Sequence, residues 1–179
     1  MSTAAGTLTW FSAAERTDLL AAPVAEALDA LPSARVASID PELADSAAFC
    51  EAYSSPPEHS ANCVVVAGRR GGETRRAAVL VLATDRADIN GTVRRHLDAR
   101  KISFAPMDEA VELTGMEHGG ITPVGLPGDW PVLVDEGVLA AGEVVIGSGV
   151  RGSKLLVDAA ELAALPAAEV LALAQAPRA

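Results

Sequence analysis

Two glycine-rich segments constrain this chain more than any other feature of its sequence. The first, GGITP at residues 119–123, follows a short helical pattern that ends at Gly115. The second, GSGVRG at residues 147–152, lies between two apolar runs that are typical of strands. Because glycine has no Cβ, such segments permit positive φ angles and close backbone approach. They predict either a pair of tight turns or one concave site lined by backbone amides and carbonyls.

The length and composition predict one domain without a membrane span. A chain of 179 residues, half of them apolar, can build a substantial core. No apolar run approaches the ~20 residues of a transmembrane helix, and no secretory leader is recognisable. Cys50 and Cys63 lack the spacing of metal ligands, so we expect free thiols, no metal, no cofactor and a cytoplasmic location.

The charge balance limits the kinds of partner. With 14 basic and 24 acidic residues the net charge is −10, which argues against non-specific binding to nucleic acid, including DNA. It leaves room for one RNA end to dock on a local basic patch, and basic residues cluster at 69–70, 75–76, 94–95 and 100–101. These clusters are either solvated faces or such a patch. An aromatic content of 3% weakens any base-stacking platform.

Hydrophobic periodicity and caps predict a mixture of short strands and short helices. This mixture is typical of an α+β domain around a curved sheet. Residues 1–55 form either a helical extension or the first layer of the domain, and residues 56–179 form its main part. The predicted strands are 34–39, 62–67, 77–83, 101–105, 130–134, 143–146 and 154–157, with 169–173 a strand or a helical tail. The predicted helices begin at Ser12, Asp40, Asp88, Asp108 and Asp158, and Pro23 either ends the first of them or begins a second.

Common catalytic motifs are absent, so candidate site residues come from their positions beside the glycine segments. Ser148 lies between two glycines without nucleophile-elbow spacing, which favours a turn serine over a nucleophile. His118 precedes the first glycine segment and could face a ligand. Asp135 ends a strand and either caps a turn or shapes a site. Arg151 could clamp a phosphate or carboxylate, or lie on the surface of a turn.

An ordered set of segments from about residue 62 to 173 resembles the YbaK family, also known as the prolyl-tRNA synthetase-associated editing domain. Residues before 62 carry little of the resemblance. The matching segments are NCVVVA at 62–67, the helical pattern from Asp88 followed by RKI at 100–102, MD at 107–108, TGM at 114–116, GGITP at 119–123, PVLVD at 131–135 and GSGVRG at 147–152.

The resemblance implies a barrel-like mixed β-sheet surrounded by short helices, and a free-standing aminoacyl-tRNA deacylase. Such domains hydrolyse the ester between a wrong amino acid and the terminal adenosine, so the implied partners are the tRNA acceptor end and, transiently, a synthetase. An activated ester needs no protein nucleophile, only a positioned water and oxyanion donors. The residues implied to position them are Gly119, Gly120, Ile121, Thr122, Pro123 and Asn62; those implied to bind substrate are Met116, His118, Asp135, Gly147, Ser148, Gly149, Arg151 and Gly152. Met116, His118, Ile121 and Val66 are candidate pocket walls.

One position departs from the family pattern. The family typically has a substrate-contacting lysine on the first core strand, where this chain has Asn62. Asparagine can donate a hydrogen bond but carries no charge. Either Arg151 or Lys154 supplies the cation, or the deacylase activity is altered or lost. The alternatives are a non-catalytic module that binds aminoacyl-adenosine, a nucleotide or a small metabolite, and an esterase of small acyl esters that needs no tRNA.

Overall fold

The computed structural model describes residues 3–175 and places their strands in two open sheets with short helices around them. The strands are β1 (Phe11–Ser12), β2 (Arg35–Ser38), β3 (Ala61–Arg70), β4 (Glu73–Leu82), β5 (Lys101–Phe104), β6 (Val132–Asp135), β7 (Glu143–Gly147), β8 (Ser153–Asp158) and β9 (Ala168–Leu171). The α-helices are α1 (Ala22–Glu26), α2 (Ser46–Tyr53), α3 (Arg94–His96), α4 (Met107–Thr114), α5 (Glu136–Ala141) and α6 (Ala159–Ala163).

The two sheets face each other across the main hydrophobic core. The first is antiparallel with the order β1-β2-β8-β7, and the second has the order β5-β3-β4-β6-β9 with β6 and β9 parallel to β4. Ile146 and Leu155 from the first sheet pack in one cluster with Leu80 and Val134 from the second. The α+β, barrel-like fold is therefore confirmed, with its strands divided between two sheets rather than continuous in one.

The hairpin of β3 and β4 is longer than the sequence pattern predicted. Its turn is limited to Gly71 and Gly72, with φ angles of +58° and +84°, whereas the predicted strands ended at residue 67 and resumed at residue 77. Two consecutive positive φ angles suit a two-residue hairpin turn, and glycine adopts them without strain. Arg69 and Arg70 therefore pair with β4 and project at the end of a long ribbon.

Two predicted helices are interrupted. The helix expected from Asp40 to about residue 53 is a 3₁₀ turn followed by α2, because the Asp45 side chain accepts a hydrogen bond from the N–H of Ala47 and caps a new helix. The helix expected from Asp88 begins with a π-helical turn, Ile89–Val93, in which the Asp88 carboxylate accepts hydrogen bonds from the N–H groups of Gly91 and Thr92. Helix α5 was not predicted, since its six residues are too few for a periodic signal.

The first 55 residues contribute directly to the core. The helix expected from Ser12 is a single 3₁₀ turn, and the Ser12 side chain makes no capping hydrogen bond. The predicted strand at 34–39 is confirmed as β2, in which Val36 pairs with Leu155 of β8. Val24 and Leu31 are buried in the main core.

Two absences apply to residues 3–175. No helix among them has the length and apolar character needed to cross a bilayer. No group of three or more His, Cys, Asp or Glu side chains among them could hold a metal ion.

Candidate functional site

A cavity of about 820 Å³ opens between the two sheets. One wall is formed by the loop at 118–121 together with Gly147 and Lys154. The facing wall is formed by the start of β3, the end of β5 and the start of α4. Residues 44–47, before and within the first turn of α2, complete the lining.

The two glycine segments pack backbone against backbone. The N–H of Gly149 donates to the carbonyl of Gly120 at 2.7 Å. A Cβ added at Gly147 would lie 2.6 Å from that same carbonyl oxygen, and one added at Gly120 would lie 2.7 Å from the Val150 carbonyl carbon. Glycine is required at these positions because any side chain would separate the two segments.

Two residues of this loop that line the cavity have backbone N–H groups without an acceptor in the described part of the chain. The N–H of Gly120 donates to the Glu117 carbonyl at 2.9 Å. Within residues 3–175, the N–H groups of Gly119 and Ile121 donate to no protein atom, and both residues line the cavity. A fixed pair of unused amides can bind a carbonyl oxygen or an oxyanion.

Arg151 braces the glycine loop against the first part of the chain. Its guanidinium donates to the carbonyls of His118 at 3.1 Å and Pro41 at 3.0 Å. Its backbone N–H donates to the Glu117 carboxylate at 2.8 Å. Arg151 therefore lines the cavity, but two of its guanidinium N–H groups already donate to backbone carbonyls that hold the loop.

Ser148 has a structural environment. Its hydroxyl is buried, donates to the carbonyl of Ser153 at 3.1 Å and accepts from the Ser153 hydroxyl at 2.7 Å. Ser148 lies in the turn that joins β7 to β8, and Ser153 is the first residue of β8. These contacts favour the interpretation of Ser148 as a turn serine.

Asn62 and Lys154 reach the cavity from different sheets. The Asn62 carboxamide oxygen accepts a hydrogen bond from the Ser46 hydroxyl, which leaves its NH₂ group without a partner in the described part of the chain. Lys154 is 7% exposed, and its Nζ donates to the Ala44 carbonyl at 2.8 Å and lies 5.4 Å from the centre of the Phe49 ring.

The Lys154 ammonium is largely removed from water. Among residues 3–175 it forms no salt bridge with a carboxylate. Burial therefore lowers the pKa of Lys154 to about 8. A partly satisfied ammonium at a cavity wall is suited to binding a negatively charged or strongly polar ligand group.

A family model for the aminoacyl-tRNA editing domain matches residues 40–165. The chain belongs to this family. A proline–tRNA ligase of Lactobacillus gasseri is 41% identical over 73 residues, which are 39% of this chain and 13% of the ligase. The chain thus corresponds to a small part of that relative's length.

Solved structures share the editing-domain fold. One, provisionally described as a trans-editing enzyme for prolyl tRNA synthetase, has a TM-score of 0.74 and 25% identity, covering 87% of this chain and 97% of that one. Another, the hypothetical protein APE2540, has a TM-score of 0.75 and 23% identity, covering 86% of this chain and 99% of that one. The second likeness concerns the fold alone.

Within this editing domain, some residues expected at the site lie elsewhere. Met116 and Val66, which were expected to form pocket walls, lie inside hydrophobic clusters and are not among the residues that line the cavity. Asp135 accepts hydrogen bonds from the N–H groups of Gly137 at 2.9 Å and Leu173 at 2.7 Å, which makes it a cap. The expected residues that line the cavity are Asn62, His118, Gly119, Ile121, Gly147 and Arg151; those that do not are Gly120, Thr122, Pro123, Met116, Asp135, Ser148, Gly149 and Gly152.

Other lining residues were missed by the sequence reasoning. Ser46 comes from the part of the chain that carried little of the family resemblance, and no local pattern marks it. Phe104 and Met107 also line the cavity and are 62% and 46% exposed. The signal available in the sequence was an apolar residue shortly after the basic pair at 100–101. Cys63 also lines the cavity, and burial raises the pKa of its thiol to about 12.

Proposed function

We propose that this editing domain is a free-standing deacylase that hydrolyses the ester of a mischarged tRNA. The observation that carries the proposal is the pair of unused amides at Gly119 and Ile121, held at the cavity wall by the packed glycine segments. Their geometry is set by the backbone and therefore needs no rearrangement when negative charge develops on a substrate oxygen. The trans-editing description of a solved neighbour at 25% identity supports the same reaction class.

The proposed reaction is a direct hydrolysis. Water attacks the carbonyl carbon of the aminoacyl ester, a C–O bond forms, and the water passes a proton to the solvent. The carbonyl oxygen becomes an oxyanion that accepts hydrogen bonds from the N–H groups of Gly119 and Ile121. Collapse of this intermediate breaks the bond to the ribose oxygen, which takes up a proton, and releases the amino acid and the tRNA.

Asn62 and Lys154 divide the role that the family resemblance gives to one lysine. The Ser46 hydroxyl holds the carboxamide oxygen of Asn62, so the NH₂ group remains available to donate to the substrate. The buried ammonium of Lys154 supplies positive charge to the same cavity from the other sheet. The tRNA acceptor end, as aminoacyl-adenosine, is the proposed ligand of this cavity.

The cellular setting follows from the proposed substrate. A deacylase of mischarged tRNA acts where tRNAs are charged, so we propose a cytoplasmic location and a transient contact with a synthetase. We further propose that residues 1–55 form the first layer of the domain, because Val24, Leu31 and Val36 are buried in the main core.

The second candidate function is a non-catalytic module that binds aminoacyl-adenosine, a nucleotide or a small metabolite. The neutral side chain at Asn62 favours it, because a neutral donor binds an ester oxygen less strongly than an ammonium does. This module would retain the cavity and the two free amides but would not accelerate hydrolysis.

A panel of mischarged tRNAs, including alanine and cysteine on the tRNA for proline, separates the two candidates. We expect the wild type to hydrolyse at least one of them faster than buffer does. No hydrolysis by the wild type, with activity appearing in Asn62→Lys, would support the binding module. No hydrolysis by either protein, with retained binding of an aminoacyl-adenosine analogue in which an amide replaces the ester, would reject the deacylase.

A further inference from the structure

Positive charge is concentrated in one part of this acidic chain. Between residues 69 and 101 there are nine basic and four acidic residues, a net charge of +5. The other residues, five basic and twenty acidic, carry −15. A local field of opposite sign to the whole molecule attracts a polyanion to one place rather than to the entire surface.

The fold brings three of these cations together at a sheet edge. Lys101 pairs with Arg69 in the register of β5 and β3, and the N–H of Arg100 donates to the Arg69 carbonyl at 2.9 Å. All three side chains are exposed, and β5 is an edge strand.

These three cations are not neutralised by the protein. Within residues 3–175 none of Arg69, Arg100 and Lys101 forms an ion pair, whereas Arg70 pairs with Asp98 at 3.0 Å. Their charge is therefore available to an external anion.

The same strand ends in an exposed aromatic ring at the cavity mouth. Phe104 is 62% exposed and lines the cavity. Phe11, which is 44% exposed, is by contrast covered by the Arg16 guanidinium at 5.6 Å. Phe104 lies three residues, or about 10 Å of strand, from Lys101, so the two side chains leave opposite faces of β5, and a ligand that contacts both crosses the free edge of this strand. The low aromatic content argues against an extended surface on which several bases stack. It is compatible with stacking of a single base on Phe104.

We propose that Phe104, Lys101, Arg100 and Arg69, here called the β5 strip, dock the 3′ end of an RNA. An unpaired base near the 3′ terminus stacks on Phe104, and the phosphates that precede it lie along the three cations toward the hairpin tip. The terminal nucleotide is thereby directed into the cavity. The inference rests on the proposed function, since it takes the cavity to be the site of the terminal ester.

The test is RNA binding without chemistry. The probe is an uncharged, fluorescently labelled RNA hairpin with an unpaired ACCA 3′ end, titrated by anisotropy at several salt concentrations. The variants are Lys101→Glu, Arg69→Glu, Phe104→Ala and Phe104→Tyr, and Arg16→Glu is the matched control because it reverses an exposed charge that does not line the cavity. Circular dichroism verifies that each variant is folded.

We expect each charge reversal in the strip to weaken binding about tenfold and to reduce the slope of log affinity against log salt by about 1. Phe104→Ala should weaken binding by roughly 5- to 100-fold, and Phe104→Tyr should restore most of it. Removing the ACCA overhang should erase the effect of Phe104→Ala and preserve that of Lys101→Glu. Arg16→Glu should have little effect.

The docking surface and the proposed function fail in different ways. If strip variants bind the hairpin as the wild type does, or if Arg16→Glu weakens binding equally, the docking surface is wrong even where mischarged tRNA is hydrolysed. If the strip variants lose binding as expected while no ester is hydrolysed, docking stands and the deacylase function fails.

Discussion

The two walls of the cavity are built on different principles. On the glycine wall, lined by Gly119, Ile121 and Gly147, backbone contacts with the adjoining glycine segments leave no space for added side chains. On the facing wall, here called the β5 wall, Phe104 of β5 and Met107 of α4 are exposed to solvent. Backbone amides thus provide fixed donors where geometry matters most, and side chains provide adaptable contacts where a flexible ligand must enter. The comparison suggests that chemistry and substrate capture can be altered separately.

The largest expected effect is on the glycine wall. In Gly120→Ala, the new Cβ would lie 2.7 to 2.8 Å from backbone atoms of Val150, which cannot give way as a flexible side chain can. The two segments must separate, and a displacement of about 1 Å at reacting groups can cost about 100-fold in rate. We expect deacylation to fall by at least that factor, measured as kcat/KM on the tRNA that the wild type hydrolyses.

The matched control is Gly128→Ala. A Cβ at Gly128 would meet nothing within 4 Å, so activity and thermal stability should stay close to those of the wild type. If Gly120→Ala were as active as Gly128→Ala, the fixed packing of the glycine wall would not be what positions the substrate.

The chain's two lysines sharpen the comparison, because one is buried at the glycine wall and the other is exposed on β5. Lys154→Met removes a buried charge that, in the proposed function, hydrogen-bonds the substrate, and a hydrogen bond to a charged group contributes about 1.5–3 kcal/mol. We expect kcat/KM on aminoacyl-adenosine to fall roughly 10- to 100-fold, while the free energy of unfolding stays unchanged or rises because a desolvated ammonium is removed.

Lys101→Met should leave both quantities unchanged on aminoacyl-adenosine, since that substrate has no preceding phosphates. Equal activity of Lys154→Met and the wild type would mean that Lys154 only anchors the Ala44 carbonyl. A large loss of stability in Lys154→Met would point to the same structural role.

The sequence predicted local structure where the signal is local. Gly115 ends α4 with a φ of +68°, as its position after the helical pattern predicted, and the two glycine segments pack together. Side-chain placement could not be predicted where burial decides it. Met116 and Asp135 stand beside strong motifs, but a short segment does not reveal whether a side chain points into a cavity or into the core. Ser46 reaches the site through tertiary packing that no spacing encodes.

A smaller effect is expected from pH. The folded-state pKa of Lys154, about 8, lies below its ordinary value of 10.5, so the unfolded chain binds more protons between these pH values. The contribution of Lys154 to the free energy of unfolding should therefore rise from pH 8 to 10.5, as the buried charge is lost. Deacylation, corrected for the buffer rate, should fall severalfold over the same range because the ammonium disappears. The decline should be absent in Lys154→Met, and a parallel decline in that variant would assign it to another group.

The smallest effect is expected from the cavity thiol of Cys63, which lies at the start of β3 on the facing wall. Because burial raises the pKa of Cys63 to about 12, almost none of it is thiolate near pH 7, and a thiol is a poor nucleophile. Cys63→Ala should keep kcat/KM within about threefold and lose only the small packing contribution of the sulfur. Single-turnover kinetics followed by mass spectrometry should detect no acyl group on the protein. An acylated Cys63, or loss of activity in a well-folded Cys63→Ala variant, would contradict direct attack by water. It would indicate covalent catalysis by the Cys63 thiol instead of catalysis by the backbone amides of the glycine wall.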